Sequence, residues 1–304
     1  MNPKELCSKL NGVIGFPVTP FNDDHSLDLD GHRENVRYML EQPMCALVAA
    51  GGTGELYSLD PDEVRQVVEA TIEEAAGRAP VIAGVGFAGG LAKRLARQAA
   101  DSGADGVLAF PPYYPNAEMD GLVDYYSEIA DVSGLGVLVY SRDWAHYTPA
   151  QAEQLAEIPN VFAWKDGSAD IRRYQMIRER LGEKLHWIGG AGDDMVPGYY
   201  GIGVRAYTSS ISAVAPKLSI KLHELGVAQA TDELNQLVTE HVVPLYALRT
   251  KRKGYEVSAM KTMLNMLGLT GGVVRPPLVE VTEAEQVELQ AILDGWRKAG
   301  FLDR

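Results

Sequence analysis

Residues 161–168 of the chain are Val161-Phe162-Ala163-Trp164-Lys165-Asp166-Gly167-Ser168, an apolar run that ends in a lysine, a carboxylate and a glycine. Such a run is typical of a strand buried on both faces of a parallel sheet. The end of such a strand lies where α/β enzymes bind their substrates. Loss of solvation there lowers the pKa of a lysine, and the neutral amine can form a Schiff base with a carbonyl. The alternative is a solvated surface lysine.

Apolar runs of this kind recur eight times through the first two thirds of the chain. They cover residues 13–18, 45–50, 81–85, 107–110, 137–140, 161–164, 185–188 and 204–208. Helical patterns fill the gaps, and the clearest begins at Asp60-Pro61-Asp62-Glu63 with an N-cap, a proline and an acid, and ends at Gly77. Eight strands, each followed by a helix, predict a (β/α)8 TIM barrel and not a doubly wound sheet.

The C-terminal part of the chain carries no further strand pattern. Beyond Ala215, apolar residues recur at spacings of three and four, which predicts helices. We expect a barrel over residues 1–226 and a helical appendage over residues 227–304 that packs on it, because no flexible linker separates the two. The basic cluster Arg249-Thr250-Lys251-Arg252-Lys253 is interpreted as a solvated helix end, with contact to an anionic ligand or a second subunit as the alternative.

The composition narrows the class of protein. The 304 residues, 46% hydrophobic and 23% charged, are typical of a soluble globular protein. The net charge of −13 argues against a nucleic-acid partner, and no stretch reaches the apolar length of a membrane span. The N-terminus lacks the apolar core of a signal peptide, and Cys7 and Cys45 form no disulfide framework, so we expect a cytoplasmic location. The six histidines show no metal-binding spacing, so no metal or other cofactor is expected.

Functional residues are expected where the strands end, since parallel strands of a barrel all end on one face. Gly51-Gly52-Thr53-Gly54-Glu55 follows the second run, and its N–H groups can form a nest for a carboxylate, although a tight turn would need the same glycines. Tyr113 follows the fourth run, and the fifth ends in Tyr140-Ser141-Arg142. A phenol beside an amine can carry protons, and Arg142 can bind a carboxylate. Simple packing and a surface ion pair are the alternatives.

One motif points to a different class of enzyme. Gly84-Val85-Gly86-Phe87-Ala88-Gly89 matches the G-x-G-x-x-G fingerprint of dinucleotide binding, after a strand and before a helix. The acid that binds the ribose should close the next strand, but Asp105 precedes that strand, which ends in Phe110-Pro111-Pro112. A nicotinamide-dependent oxidoreductase is therefore the weaker alternative.

The loop at residues 51–55, Tyr140 and Lys165 together resemble the dihydrodipicolinate synthase and N-acetylneuraminate lyase family of Schiff-base (β/α)8 enzymes. The resemblance covers nearly the whole chain. Five motifs, in the same order, are similar to a branch of decarboxylating sugar-acid dehydratases within that family. They are Phe16-Pro17-Val18-Thr19-Pro20-Phe21, Ala49-Ala50-Gly51-Gly52-Thr53-Gly54-Glu55, Val139-Tyr140-Ser141-Arg142-Asp143, Lys165-Asp166-Gly167 and Lys253-Gly254-Tyr255-Glu256-Val257-Ser258-Ala259-Met260-Lys261.

The resemblance implies a role for individual residues. Lys165 would form the imine, Tyr140 would be its acid and base, and Gly52 and Thr53, with Gly54 in the same loop, would bind the carboxylate of an α-keto acid. Synthases of the family place a hydroxyl residue where this chain has Gly52, and that hydroxyl links two tyrosines in a proton relay. The dehydratase branch shares the glycine. Without the hydroxyl the relay is broken, which leaves the role of Tyr113 or Tyr114 open.

The resemblance also implies a substrate, a six-carbon α-keto diacid that loses water and CO₂ through the lysine Schiff base. Candidates for its far carboxylate are Arg142 and the hydroxyls of Tyr207-Thr208-Ser209-Ser210. The expected partners are this small sugar diacid and further copies of the chain in a dimer or tetramer, with no nucleic acid and no membrane. The alternatives are an aldolase or synthase of the same family that releases pyruvate, the oxidoreductase, and a non-catalytic sugar-acid sensor.

Overall fold

The computed structural model describes residues 1–303, and their eight strands form one closed parallel barrel. The strands are β1 (Gly12–Gly15), β2 (Ala46–Ala49), β3 (Val81–Phe87), β4 (Gly106–Pro112), β5 (Gly136–Ser141), β6 (Val161–Asp166), β7 (His186–Gly189) and β8 (Ala206–Ser209). Each strand pairs with the next along the chain, and β1 closes the barrel by pairing with β8. The predicted (β/α)8 fold is confirmed.

Thirteen α-helices lie within residues 1–303. They are α1 (Pro3–Lys9), α2 (Leu29–Met39), α3 (Pro61–Ala75), α4 (Gly89–Asp101), α5 (Met119–Ser133), α6 (Pro149–Ala156), α7 (Ile171–Leu181), α8 (Val196–Gly201), α9 (Pro216–Val227), α10 (Thr231–Leu237), α11 (Val243–Arg249), α12 (Tyr255–Met266) and α13 (Glu283–Lys298). Helices α2 to α9 follow the eight strands in turn, and α10 to α13 form the appendage. None of the helices described combines the length and the apolar composition that a membrane span requires. Arg304, the end of the expected appendage, lies outside the described residues.

Two strand ends differ from the prediction in a way that shapes the site. β2 is shorter than predicted because Ala50 adopts a φ of +49°, outside the strand region. β6 is longer and runs through Asp166, so Lys165 lies within the strand and is paired in register with Tyr140 of β5. Residues paired in this way on neighbouring strands present their side chains on the same face of the sheet.

Helix α3 begins as the sequence predicts. The carboxylate of Asp60 accepts hydrogen bonds from the N–H groups of Asp62 and Glu63, and the Glu63 carboxylate accepts one from the N–H of Asp60. This reciprocal capping box satisfies donors that the first turn leaves free. The helix ends at Ala75, and Ala76 and Gly77 both adopt positive φ.

The glycines of the G-x-G-x-x-G motif allow neighbouring strands to approach each other. Gly84 and Gly86 lie inside β3, and a Cβ at Gly84 would come within 2.0 Å of the carbonyl oxygen of Ala50. A Cβ at Gly86 would lie 2.6 Å from Cβ of Phe110. Packing of the barrel therefore explains both glycines, and the dinucleotide interpretation loses its support.

This packing role predicts opposite effects for two substitutions in one segment. Gly84→Ala should lower the free energy of unfolding by about 1–3 kcal/mol or more, because the new methyl group overlaps the Ala50 carbonyl. The matched control is Gly90→Ala in α4, where nothing lies within 4 Å of the new Cβ and the helix gains up to about 1 kcal/mol. Urea unfolding of both variants measures this, and equal stability of the two would contradict the packing role.

Candidate active site

A cavity of about 470 Å³ opens at the carboxyl ends of the strands. This volume lies in the range of roughly 300–1,000 Å³ that is usual for small-molecule sites. The barrel contributes Gly52, Thr53, Tyr140, Arg142, Lys165 and Ser209 to its walls, and the appendage contributes Tyr246, Arg249, Arg252 and Lys253. The structure therefore brings these six predicted site residues of the barrel together at one cavity, with Thr208 and Ser210 beside them.

Lys165 lies at the centre of this cavity and is only 4% exposed. Its Nζ lies 3.4 Å from the ring centre of Tyr140 and 4.8 Å from that of Phe16. Burial is the main cause that holds the pKa of Lys165 well below 10.5, the charge of Arg142 acts in the same direction, and Asp166 opposes both. The amine therefore loses its proton at lower pH than the amine of an ordinary lysine. The neutral amine that results is the form that attacks a carbonyl.

Gly190, just after β7, leaves room for the lysine side chain. A Cβ at this position would lie 2.4 Å from Cγ and 2.7 Å from Cε of Lys165. The N–H of Gly190 also donates a hydrogen bond of 2.6 Å to the carbonyl of Asp166. Sequence reasoning missed this residue, although the run Gly189-Gly190-Ala191-Gly192 after the seventh apolar run was a usable signal.

Asp166 has its side chain in the helical layer and anchors the end of β6. Its carboxylate accepts hydrogen bonds from the hydroxyl of Tyr199 on α8 at 2.9 Å and from that of Ser168 at 2.7 Å. Successive side chains of a strand alternate between faces, so Lys165 and Asp166 point in opposite directions. Burial raises the pKa of Asp166, and the bonds from Ser168 and Tyr199 oppose that shift.

Tyr140 presents the phenol that lies beside the lysine. Its ring makes an edge contact with Phe110, and the guanidinium of Arg142 lies 5.2 Å from its ring centre. Its hydroxyl donates to and accepts from no group within residues 1–303. Burial raises the pKa of Tyr140, so the phenol keeps its proton at neutral pH and has it available for a ligand.

The loop after β2 offers free backbone donors. The N–H groups of Gly52 and Thr53 donate to no other group in the described chain, whereas Glu55 and Leu56 donate back to the carbonyls of Gly52 and Gly51. Free N–H groups at a cavity wall can bind a carboxylate.

Two of the predicted ligand-binding residues lie outside the cavity wall. Gly54 packs against the backbone of Ala50, and its carbonyl accepts a hydrogen bond from Thr19, so it shapes the loop. Tyr113 is 84% exposed, because the chain leaves the barrel after Pro112 at the end of β4. Sequence position placed both residues near a strand end, but the direction of the chain beyond that end decides whether a side chain reaches the cavity.

Glu55 fastens the same loop to the appendage. Its fully buried carboxylate forms an ion pair with Lys261 of α12 and accepts the backbone N–H of Arg275. Lys261 also donates to the carbonyl of Val273 at 2.7 Å. Burial raises the pKa of Glu55 and lowers that of Lys261, and their mutual attraction opposes both shifts.

Arg142 lies beside the free donors of the loop. A Cβ at Gly52 would be 3.5 Å from Nη1 of Arg142, and Nε of Arg142 donates to the carboxylate of Asp143 at 2.7 Å. Because Gly52 carries no hydroxyl, this position offers no side-chain link from Tyr140 to a second tyrosine. Arg142 and the loop thus form one cationic, donor-rich side of the cavity.

Ser209 contributes to the cavity wall, but its hydroxyl is already bonded within the protein. It donates to the carboxylate of Asp193, accepts the N–H of Ser212 and contacts the hydroxyl of Ser219. Burial is the main cause that raises the pKa of Asp193 to about 6. The Ser209 hydroxyl therefore has no hydrogen bond left for the expected contact with the substrate. The hydroxyl of Ser210 accepts a hydrogen bond of 3.1 Å from Arg249.

The basic cluster at residues 249–253 is a solvated helix end only in part. Lys251, Arg252 and Lys253 are exposed, but Arg249 is 7% exposed and lines the cavity. The interpretation was wrong for Arg249 because α11 ends against the loop after β8, where the guanidinium bonds Ser210 and lies 5.0 Å from the ring centre of Tyr246. Sequence reasoning named the cluster and gave contact with an anionic ligand only as the alternative, without singling out this arginine.

No group of three or more His, Cys, Asp and Glu side chains within residues 1–303 is arranged to hold a metal ion. Strand packing explains Gly84 and Gly86, two glycines of the motif that suggested a dinucleotide. The groups available to a ligand therefore include the amine of Lys165, the phenol of Tyr140, backbone N–H groups and the further cations Arg142, Arg249, Arg252 and Lys253.

Comparison with known proteins gives a consistent result. Residues 9–295 match the Dihydrodipicolinate synthetase family. A protein of Bradyrhizobium diazoefficiens named "Probable 5-dehydro-4-deoxyglucarate dehydratase" is 36% identical over 297 residues, which is 96% of this chain and 95% of that protein. A protein of Rhodococcus jostii with the same name is 38% identical over 296 residues, 96% of this chain and 97% of that one. The crystal structure of dihydrodipicolinate synthase from Oceanobacillus iheyensis superposes with a TM-score of 0.91 at 28% identity, covering 98% and 100% of the two chains.

The buried amine predicts a pH-dependent gain in stability on its removal. In the unfolded chain Lys165 holds its proton up to about pH 10.4, whereas in the fold it loses that proton at much lower pH. Between these two pKa values the unfolded state binds the extra proton, so the free energy of unfolding rises with pH. Lys165→Met should therefore be more stable than the parent protein near pH 7, and the difference should shrink as the pH approaches 10.4.

Urea unfolding at several pH values between about 7 and 10 measures this difference. The control is Lys221→Met on α9, an exposed lysine for which we expect no such pH-dependent gain. A gain for Lys165→Met that stays constant up to pH 10 would contradict a strongly lowered pKa.

Proposed function

The chain belongs to the Dihydrodipicolinate synthetase family and is a lyase, and from this premise we propose that it is a decarboxylating dehydratase. The proposed reaction converts 5-dehydro-4-deoxy-D-glucarate to 2,5-dioxopentanoate, CO₂ and water through a Schiff base on Lys165. The observation that carries this proposal is the buried Lys165 in register with Tyr140, at a cavity lined by arginines. The names of the relatives support the choice of substrate.

The first half of the reaction is the loss of water. The neutral amine of Lys165 attacks the ketone, Tyr140 donates the proton that lets the carbinolamine lose water, and an iminium results. The positive iminium makes the neighbouring CH₂ acidic. The phenolate that Tyr140 became in the first proton transfer accepts the CH₂ proton, which gives an enamine and restores the phenol. The enamine expels the hydroxide from the next carbon, and a proton from Tyr140 lets it leave as water.

The second half is the loss of CO₂. The iminium is now conjugated with a carbon–carbon double bond, and the bond to the far carboxylate breaks. Its electron pair flows through the conjugated system to the nitrogen, which leaves an enol that becomes an aldehyde after proton transfer. Hydrolysis of the imine releases 2,5-dioxopentanoate and frees Lys165, so one electron sink serves both steps.

The charges around the cavity support a dianionic substrate. The protein carries a net charge of −13, yet Arg142, Arg249, Arg252 and Lys253 line this cavity with only Asp143 and Glu256 as carboxylates. The free N–H groups of Gly52 and Thr53, with Arg142 beside them, are the proposed site of the carboxylate next to the ketone. A local excess of cations raises the concentration of an anionic ligand at the site.

The expected assembly and location belong to the same proposal. Exposed aromatic side chains are typical of protein interfaces, so Tyr113 and Tyr114 support the expected homo-oligomer, a dimer or tetramer. Cys7 and Cys45 are both free thiols, which supports a location in the cytoplasm.

The product distinguishes the proposed dehydratase from an aldolase of the same family. Incubation with 5-dehydro-4-deoxyglucarate should yield CO₂ and 2,5-dioxopentanoate in equal amounts, because the path keeps five carbons together. Borohydride added during turnover should attach ligand mass to Lys165, as mass spectrometry of the peptide would show. Lys165→Ala should fold but lack both turnover and the adduct, and pyruvate without CO₂ would overturn the proposal in favour of an aldolase.

Removal of one oxygen tests the proton carrier. Tyr140→Phe keeps the ring contacts with Phe110 and Lys165 but removes the hydroxyl, so kcat should fall by about 10²–10⁴. The half-saturating concentration of substrate should change little. Tyr126→Phe, whose hydroxyl bonds Tyr147 away from the cavity, is the matched control and should keep most of its activity. A Tyr140→Phe enzyme of near-normal kcat would remove Tyr140 from the mechanism.

A further inference from the structure

We propose that Arg249 of the appendage binds the far carboxylate of the substrate, the group that leaves as CO₂. This inference rests on the proposed function for the identity of the substrate. It concerns a residue to which the family resemblance assigned no role, and for which the sequence offered contact with an anionic ligand only as an alternative for the whole basic cluster. It makes the end of α11 the part of the protein that recognises a diacid.

The first observation is a buried guanidinium with a hydrogen-bond donor that has no partner. Arg249 is 7% exposed and lines the cavity, and its buried Nε has no hydrogen-bond partner within the described chain. No carboxylate in residues 1–303 lies within ion-pair distance of it. The carboxylates of Asp193 and Asp194 attract the guanidinium only from beyond that distance. A buried cation without a direct partner is costly, and a carboxylate that enters the cavity would supply an ion pair together with the missing acceptors.

The second observation is that the side chain is held in place before any ligand enters. Nη2 of Arg249 donates to the hydroxyl of Ser210 at 3.1 Å, and the guanidinium stacks on Tyr246. The hydroxyl of Tyr246 accepts the N–H of Asp193 at 2.8 Å and donates to its carboxylate at 3.3 Å. A guanidinium fixed in this way loses little conformational entropy when it binds a carboxylate.

The half-buried arginine of the cavity, Arg142, is less suited to this role. Arg142 already forms an ion pair with Asp143, and it lies beside Gly52, whose free N–H group belongs to the proposed site of the near carboxylate. Arg249 comes instead from the appendage and contacts the loop after β8. The two arginines thus approach the cavity from different parts of the fold, as the two ends of a diacid require.

A fixed cation at the far end also fits the chemistry of that end. The carbon–carbon bond breaks readily when it stands out of the plane of the conjugated iminium, so the carboxylate has to be oriented. The breaking bond leaves its electron pair in the conjugated system, and the departing CO₂ is neutral. The arginine therefore holds the anionic carboxylate before the bond breaks. It does not retain the CO₂ that forms, because CO₂ carries no charge.

The test compares two ligands that differ only at the far end. 2-Oxoadipate is a six-carbon α-keto diacid, and 2-oxohexanoate has a methyl group in place of its far carboxylate. Calorimetric titration measures the Kd of each for the parent protein, Arg249→Gln, Ser210→Ala, Arg142→Gln and Lys251→Gln. Lys251 is the matched control, since it is an exposed cation of the same cluster that pairs with Glu288 and is not part of the cavity wall.

Arg249→Gln should raise the Kd of 2-oxoadipate by about 10- to 100-fold, the usual worth of a charge-assisted hydrogen bond, and that of 2-oxohexanoate by less than about threefold. Ser210→Ala, which loosens the guanidinium but keeps its charge, should shift only the diacid, by a smaller factor. Lys251→Gln should match the parent protein. Thermal unfolding of each variant shows whether the fold is retained.

Equal losses for both ligands in Arg249→Gln would overturn the proposal, and so would a loss of diacid preference in Arg142→Gln alone. Borohydride trapping with the same two ligands reports separately on the Schiff base. An absent adduct on Lys165 would contradict the proposed function, whereas the calorimetric comparison would still decide the role of Arg249.

Discussion

The ion pair between Glu55 and Lys261 joins the barrel to its appendage, and the geometry of the site depends on it. Both side chains are almost fully buried, and the loss of one partner from such a pair typically costs about 3–5 kcal/mol, because the other charge is left in the interior. Glu55 closes the loop that carries the free N–H groups of Gly52 and Thr53, and Lys261 belongs to α12. The appendage is therefore part of the active-site structure and not an addition to a complete barrel.

The cavity near this junction excludes water from the amine of Lys165. The rings of Phe16 and Tyr140 flank the amine of Lys165, and the methylene groups of the lysine fit because Gly190 has no side chain. Each contact removes water from the amine, and that loss is what lowers its pKa. The same contacts explain why the phenol of Tyr140 lies near the amine with its hydroxyl unbonded. Burial of the lysine and placement of the phenol beside it are thus two results of one packing arrangement.

The charge of the cavity is opposite to that of the protein as a whole. The protein as a whole is acidic, with a net charge of −13, yet the cavity mouth is basic. Arg142 comes from a barrel loop, and Arg249 comes from the last turn of α11. Because the two cations arrive from separate segments, the distance between them is set by how the appendage packs on the barrel. The tertiary structure therefore sets the length of the ligand that the cavity prefers.

The sequence alone determined the eight strands, their order in the barrel and the place of Lys165 and Tyr140 at strand ends, because these depend on local periodicity and on the rule that strand ends share one face. That the two residues form a pair was implied by the family resemblance. It did not determine which residues reach the cavity beyond those ends. Tyr113 turns away, Arg249 is buried under the loop after β8, and Gly84 and Gly190 are required by contacts with Ala50 and Lys165. Each of these outcomes arises from atoms that are distant in the chain and adjacent in space, so only the packed tertiary structure decides them.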